Sequence, residues 1–570
     1  FFAAFFLYGL MVVKDYGIST DELIERESSL ITYKYIMPSV SDVVTETVNF
    51  PELTPLKEYK DRYYGMAVQI PAVVVEHLFG FQLDIRKVFL MRHLYNFLMY
   101  FAATVFFYKI CRKLGHGKYM SLLGTGILIL TPRILAESFY NIKDMMFLSV
   151  FVIALYFGLL CMENFSWKRL IPFAFFGALC TNVRIVGAMV VAVCLILAFI
   201  RSIGEKKWKK TFFYCWGTAI LCFAFYFVMT PVIWENTWQE ILNLIDTFSN
   251  YVVWYAYTFF MGQYVLSTEL PWYYLFVNIG IMTPIFYLLM FFCGAGALAA
   301  RGVKGVMHRH GPKETDWYYI GLAVNLIVPF VYVLVSRPVL YNGWRHFYFV
   351  YPMMVLVMLY GIAVIWQAAA ARKKAALRVC QGVTGAAVLG AAVWIGLNHP
   401  YEYCFFNRIA LPFVDDYFQK DYWNVSHYDL LRYACEQDGR EQIKVWILPE
   451  NTITFMPPEH RNRLVHVDNQ DDADYIVTAY TQSYEDERLN QYYLYDEMKA
   501  VWVDGIKFSS LFRRAYDPSL RCVLEESQDT LRYDVSGMEW EISRDGDRTV
   551  LHGSSREPVS LDKIYLQGSD

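Results

Sequence analysis

Long apolar runs dominate the chain down to about residue 397, and after Pro400 charged and apolar positions alternate instead. A helix needs roughly 20 apolar residues to cross a hydrocarbon layer about 30 Å thick, because each residue rises only about 1.5 Å. Runs of this kind predict about eleven membrane segments, at 1–14, 88–111, 119–132, 144–162, 170–183, 184–200, 211–234, 271–299, 317–335, 346–370 and 379–397. The stretch "IPAVVVEHLFG" (70–80) is too short to span and predicts an interfacial or re-entrant helix. In the tail, "IKVWILPE" and "ADYIVTAY" predict strands. The expected fold is therefore mainly α. A polytopic transmembrane bundle occupies 1–398, with a long first loop at 15–87, and a soluble α/β or β-rich domain follows at 399–570. The opening "FFAAFFLYGLMVVK" carries no Met and is expected to begin inside a first span, with a preceding segment lost.

Composition agrees with a lipid environment: of 570 residues, 56% are hydrophobic and only 18% charged. The net charge of −3 gives no reason to expect a nucleic-acid partner. Eight of the 11 cysteines lie in apolar runs and three, Cys404, Cys435 and Cys522, in the tail, a spacing that suits structural thiols rather than a disulfide framework or a metal knuckle.

Charge matters more loop by loop. Alternate connections carry Arg112, Lys113 and Lys118; Lys168 and Arg169; Arg201, Lys206, Lys207, Lys209 and Lys210; Arg301, Lys304 and Arg309; and Arg372, Lys373, Lys374 and Arg378. The connection 235–270 has no Lys or Arg but holds Glu235, Glu240, Asp246 and Glu269. By the positive-inside rule the first set is cytoplasmic. Loop 15–87, the loop near 133–143, the connection 235–270, the loop near 336–345 and the tail are then expected outside, in the plasma (inner) membrane of a multi-pass protein.

Ionisable groups at a membrane boundary are costly unless paired or used. The outer loops supply an acidic pair, Asp21 and Glu22, in "DYGISTDELIERE", and Glu137, Asn141, Lys143 and Asp144 in "TPRILAESFYNIKDMMF". Helix capping accounts for Asp21, Glu22 or Asp144 taken singly. Cations stand on the same side: Lys57, Lys60 and Arg62 in "LKEYKDRYYG", Arg184 in "TNVRIVG", and Arg345 with His346 in "GWRHFYFVYP". Arg184 lies in a largely apolar stretch, where the alternative reading is a side chain snorkelling from a helix end. Together the cations suit a leaving phosphate, and two acidic sites on one face suit a polar pocket. The aromatic run "FSNYVVWYAYTFF" (248–260) fits either a lipid groove or the interfacial aromatic belt. The tail shows neither a nucleophile elbow nor a glycine-rich phosphate loop.

The order of "DE" after the first span, "FYNIKD", "PWYY" (271–274), "GWRHFYFVYP" (343–352) and "HPYEYCFFN" (399–407) resembles bacterial relatives of glycosyltransferase family 39, over about 400 residues. That family includes protein O-mannosyltransferases and the lipid A aminoarabinose transferase. The resemblance implies a GT-C bundle, a polyprenyl-phosphate sugar donor, and inversion at the anomeric carbon. It further implies Asp21 as base, Glu22 and Asp144 as further catalytic acids, and Arg345 and His346 at the donor phosphate. One of Lys57, Lys60 and Arg62 matches by location the first-loop cation of the aminoarabinose enzyme. Lys143 and Arg184 join the donor-phosphate set, and Glu137 and Asn141 are expected to contact acceptor or sugar. A divalent cation is left open as a cofactor. The expected partners are the lipid-linked donor, a lipid, glycan or protein acceptor, and membrane lipids. The rival classes are a transporter, which calls for ionisable groups at mid-span, and a protein that binds or flips lipid-linked glycan without transferring sugar.

Overall fold

The structure is a computed structural model that describes residues 1–38, 53–249, 255–307, 313–481, 495–515, 539–545 and 548–554. Parts of the expected first loop (39–52) and of the aromatic run (250–254), and Cys522, lie outside the described residues. Among the described residues, eight helices are long and apolar enough to cross a membrane: Ile85–Lys113, Asp144–Glu163, Ile185–Gly204, Trp208–Met229, Ile285–Gly305, Glu314–Ser336, Arg345–Arg372 and Lys374–Asn398. A bent pair, Lys118–Ile129 with Pro132–Tyr140, makes a ninth when counted as one span. Phe2–Val12 and Trp167–Val183 are shorter, at 11 and 17 residues, and complete the expected succession.

Asp144–Glu163 is the most buried of these helices. It packs against Ile85–Lys113, Trp167–Val183 and Ala188–Gly204. Trp208–Met229 is the opposite case: its Phe212, Phe213, Trp216, Ile220 and Phe223 are exposed, and only Thr211 and Thr218 are buried. A helix apolar on its outward face belongs against lipid.

Two expectations change. The stretch near 133–143, expected as a loop, is largely the helix Pro132–Tyr140, bent by 67° from the helix before it. Pro132 has no N–H to leave unpaired at the first helical turn, so it starts a helix where it ends the preceding one. The expected span 271–299 is divided into Tyr274–Met282 and Ile285–Met307, with Thr283 and Pro284 between them. The break frees carbonyls that Asn407 satisfies. Its backbone N–H donates to Ile281 O at 2.8 Å, and its amide donates to Gly280 O at 2.6 Å and Thr283 O at 3.0 Å. The "CFFN" stretch thus serves as a joint in the bundle.

The cationic connections gather at one end, tied by Lys113 and Arg169 to Glu163 at 3.0 and 2.9 Å and by Arg201 to Met162 O at 3.2 Å. At the other end the helix Ile70–Leu78 closes over a buried ion cluster. Glu76 there takes Arg26 Nε at 3.1 Å on one oxygen and Arg92 on the other at 2.5 Å, with all three side chains at most 2% exposed. Replacing Glu76 by Gln leaves two guanidinium groups buried without a counter-charge, at a cost of about 3–5 kcal/mol. The E76Q protein is expected to lose most of its folded yield and thermal midpoint in detergent, whereas charge removal at exposed Glu205 should leave both unchanged.

The tail carries a five-stranded sheet in the order Leu464–His466, Ile443–Ile447, Tyr475–Ala479, Ile506–Arg514, Tyr495–Val503. The first three strands are parallel and the last two pairings antiparallel. The two strands expected from sequence are Ile443–Ile447 and Tyr475–Ala479, the adjacent parallel pair at its centre. The sheet sits beside helix His427–Gln437, and the tail is tied to the bundle by Arg86 to Phe455 O and to the Tyr428 hydroxyl, both at 3.1 Å, and by Trp394 Nε1 to Asp504 at 2.8 Å. The ten cysteines among the described residues are all free.

Candidate active site

Five segments distant in sequence meet at the end of the bundle away from the cationic connections. Asp21 occupies the position before helix Glu22–Ile36, yet makes no capping hydrogen bond. Its Oδ2 accepts from Arg345 Nη1 at 2.7 Å and its Oδ1 accepts from the Tyr422 hydroxyl at 2.7 Å. Arg345 also lies 3.6 Å from Asp144 Oδ2, and Arg184 pairs directly with Asp144 Oδ1. One turn along from Asp21, Glu25 takes Lys143 Nζ at 2.7 Å. Neither the capping reading of Asp21 nor the snorkelling reading of Arg184 describes these contacts.

The Arg345 guanidinium is held in an aromatic cage, 5.0 Å from the ring centre of Tyr341, 4.7 Å from Tyr422 and 4.9 Å from Trp423. Stacking of this kind fixes the plane of the fork while leaving its edge available to an anion. Three carboxylates, Asp21, Glu25 and Asp144, face three cations, Lys143, Arg184 and Arg345. Exposure separates the acids. The Asp144 side chain is 2% exposed and Asp21 28%, so Asp21 is the more accessible of the two.

Supporting contacts explain how local sequence builds the site. Asn141 Oδ1 accepts the Asp144 N–H at 3.0 Å, and its amide reaches Asp144 Oδ2 at 3.3 Å and Glu137 Oε2 at 2.8 Å. Glu137, 1% exposed, accepts from the Tyr348 hydroxyl at 2.6 Å. Tyr274, from "PWYY", accepts the Gly343 N–H at 3.0 Å and so fixes the loop that delivers Arg345. Gly343 has φ +71°, where a side chain is strained, and an added Cβ would meet Met282 Sδ at 3.2 Å. His346 stands edge-on to Tyr341, 4.7 Å between ring centres, with Arg184, Asp144 and Arg345 as its charged neighbours.

Other expected site residues lie elsewhere. Glu22 points away from Asp21 into the protein, where Oε2 accepts the Ser19 N–H at 2.7 Å and Oε1 is 2.8 Å from His93 Nε2. Glu137 and Asn141 are buried and support Asp144, Asn141 bonding both carboxylates. Lys57 is exposed and paired with Glu235, Lys60 neighbours Glu27, and Arg62 donates to Tyr59 O at 3.2 Å. Among the described residues no hydrogen bond or ion pair joins these three cations to Asp21, Asp144, Arg184 or Arg345. Their loop approaches the site instead through Tyr64, whose ring centre is 3.6 Å from Lys143 Nζ. Sequence reasoning missed Tyr64, Glu25, Tyr341, Tyr422 and Trp423. Glu25 had a signal, being four residues after Asp21 on one helix. No group of three or more His, Cys, Asp or Glu among the described residues is arranged to hold a metal ion.

Tyr422 and Trp423 come from the tail, on a segment seated by buried Asp421. That carboxylate accepts from the Tyr403 hydroxyl at 2.9 Å and from the Asn424 N–H at 3.0 Å. Burial pushes the Asp421 carboxyl up to about 6, against the pull of those hydrogen bonds. Burial likewise holds the Tyr422 phenol above its usual range, with Arg345 opposing and Asp21 reinforcing, so it stays a donor. For Asp421 the folded state keeps a proton that an unfolded carboxyl releases near pH ~4. The stabilisation is full below that pH and is lost as pH rises through about 6. Thermal midpoints should therefore fall more steeply between about pH 4 and pH 6 in the wild type than in D421N, where no proton is released.

No family model matches the chain, and no curated protein matches it in sequence. Among solved structures it is similar to the crystal structure of ArnT from Cupriavidus metallidurans in the apo state, at 12% identity over 89% of this chain and 97% of that one, with a TM-score of 0.44. It is also similar to the structure of ArnT from the same organism bound to undecaprenyl phosphate, at 12% identity over 90% and 97%, with a TM-score of 0.42.

Proposed function

We propose that the chain is an inverting glycosyltransferase of the GT-C kind, moving a sugar from a polyprenyl-phosphate carrier to an acceptor hydroxyl on the non-cytoplasmic face of the plasma membrane. One observation carries this reading: Asp21, Asp144, Arg184 and Arg345, from segments more than 300 residues apart at the extremes, form one charged cluster at the end of an apolar bundle. Ionisable groups gathered at a bundle end argue against a transporter, which needs them near the midplane. The cation-rich connections at the opposite end support an outward-facing site. The tail, 399–570, is then an extracytoplasmic domain that contributes Tyr422 and Trp423.

In this mechanism Asp21 takes the proton of the acceptor hydroxyl as its oxygen bonds to the anomeric carbon. The bond from that carbon to the phosphate oxygen breaks with its electron pair, and the polyprenyl phosphate departs on the opposite face. Arg345, with Arg184 and Lys143, neutralises the charge gathering on the leaving phosphate, and Asp144 holds the two guanidinium groups in register. The lipid tail lies among the spans, which explains why such chemistry sits in a polytopic chain.

The test is to incubate membranes holding the protein with a panel of radiolabelled polyprenyl-phosphate sugars and follow label into acceptor. Label leaving at least one donor supports transfer; carrier binding without release from any donor contradicts it and favours a lipid-linked glycan binder.

A further inference from the structure

Both oxygens of Asp21 are engaged, and the two partners differ in kind. Arg345 on Oδ2 is the cation that a phosphate would claim, and its Nε is buried without a hydrogen-bond partner. Tyr422 on Oδ1 is a neutral donor whose hydroxyl is already committed to Asp21 at 2.7 Å. The charges of the cluster already balance, three against three, so an arriving phosphate competes with Asp21 for Arg345. An aspartate freed in that way keeps one tether.

We infer that Tyr422 is a positioning residue: it keeps Asp21 aimed at the acceptor once the donor phosphate has drawn Arg345 away. The inference rests on the transferase reading and deepens it by giving the tail a part in the reaction. The tether is itself well anchored. Thr20, next to Asp21, donates its hydroxyl to Tyr422 O at 3.2 Å and its N–H to Trp423 O at 3.2 Å, and Asn424 donates to the Thr20 hydroxyl at 3.1 Å. Trp423 is 4% exposed and packs on Tyr140, 5.7 Å between ring centres, so the segment is clamped on both sides. With the Tyr422 hydroxyl in place, Asp21 loses one hydrogen bond when the phosphate arrives and keeps the other. Without it, the freed carboxylate rotates, and misplacement of a reacting group by about 1 Å costs roughly a hundredfold in rate.

The experiment compares wild type with Tyr422→Phe, which keeps the ring of the cage and removes only the hydroxyl. Full-length proteins in lipid nanodiscs are assayed for binding of undecaprenyl phosphate, for thermal midpoint, and for kcat and KM with a donor that the wild type turns over. Y422F is expected to keep carrier affinity, KM and midpoint while kcat falls roughly ten- to a hundredfold. An unchanged kcat overturns the inference. So does a raised KM at wild-type kcat, which makes Tyr422 an ordinary donor contact, or a joint loss of midpoint and affinity, which makes it a fold residue. Failure of the transferase reading has a different signature: the wild type itself binds carrier without transferring any sugar, or does neither, and the positioning role falls with it.

Discussion

Replacing Asp21 by Asn is expected to remove nearly all turnover, by roughly 10²- to 10⁴-fold, because the amide cannot take the acceptor proton. Binding of the free carrier should move the other way. In the resting protein Asp21 competes with a phosphate for Arg345, and a site only partly available binds its ligand more weakly in proportion. Asn has no charge to compete with, so undecaprenyl phosphate should bind D21N more tightly, by up to roughly tenfold. The combination matters more than either half. A misfolded variant loses both rate and affinity, and a residue remote from the phosphate changes neither. Isothermal titration or microscale thermophoresis on the nanodisc protein, run beside the radiolabel assay, reads both.

Arg345→Gln should act in the opposite sense on binding. A charge-assisted hydrogen bond contributes roughly 2–3 kcal/mol, so loss of the guanidinium should weaken carrier affinity roughly 30- to 150-fold. Turnover should fall at least as far, since the charge on the phosphate rises as its bond to the sugar breaks. Lysine at this position should recover little, because the cage of Tyr341, Tyr422 and Trp423 suits a flat cation and Lys offers a point charge. Arg184→Gln is the informative companion. Arg184 reaches the cluster through Asp144, so its loss should cost less than that of Arg345.

Span positions were legible because lipid imposes a length and a composition that local sequence must meet, and the run at 144–162 became Asp144–Glu163. The turn at Thr283 and Pro284 was not, since an apolar run hides a break whose carbonyls are satisfied by Asn407, more than 120 residues away. Within "DE" the sequence names two acids but not their directions. Successive positions at a helix start point about 100° apart, and that rotation sends Asp21 to Arg345 and Glu22 to Ser19 and His93. Residue type and loop membership singled out Lys57, Lys60 and Arg62, but loop membership gives no lateral address, and Lys57 ends on Glu235. The cage was the hardest to foresee. Tyr422 and Trp423 stand about 400 residues from Asp21, in a tail whose local pattern speaks only of strands.

The most direct measurement is a cryo-electron microscopy structure of the wild type in nanodiscs with undecaprenyl phosphate. The phosphate is expected against Arg345 and Arg184, with Asp21 detached from Arg345 and still bonded to Tyr422. Phosphate density at a distance from both arginines, with the Asp21 to Arg345 pair intact, would contradict the account.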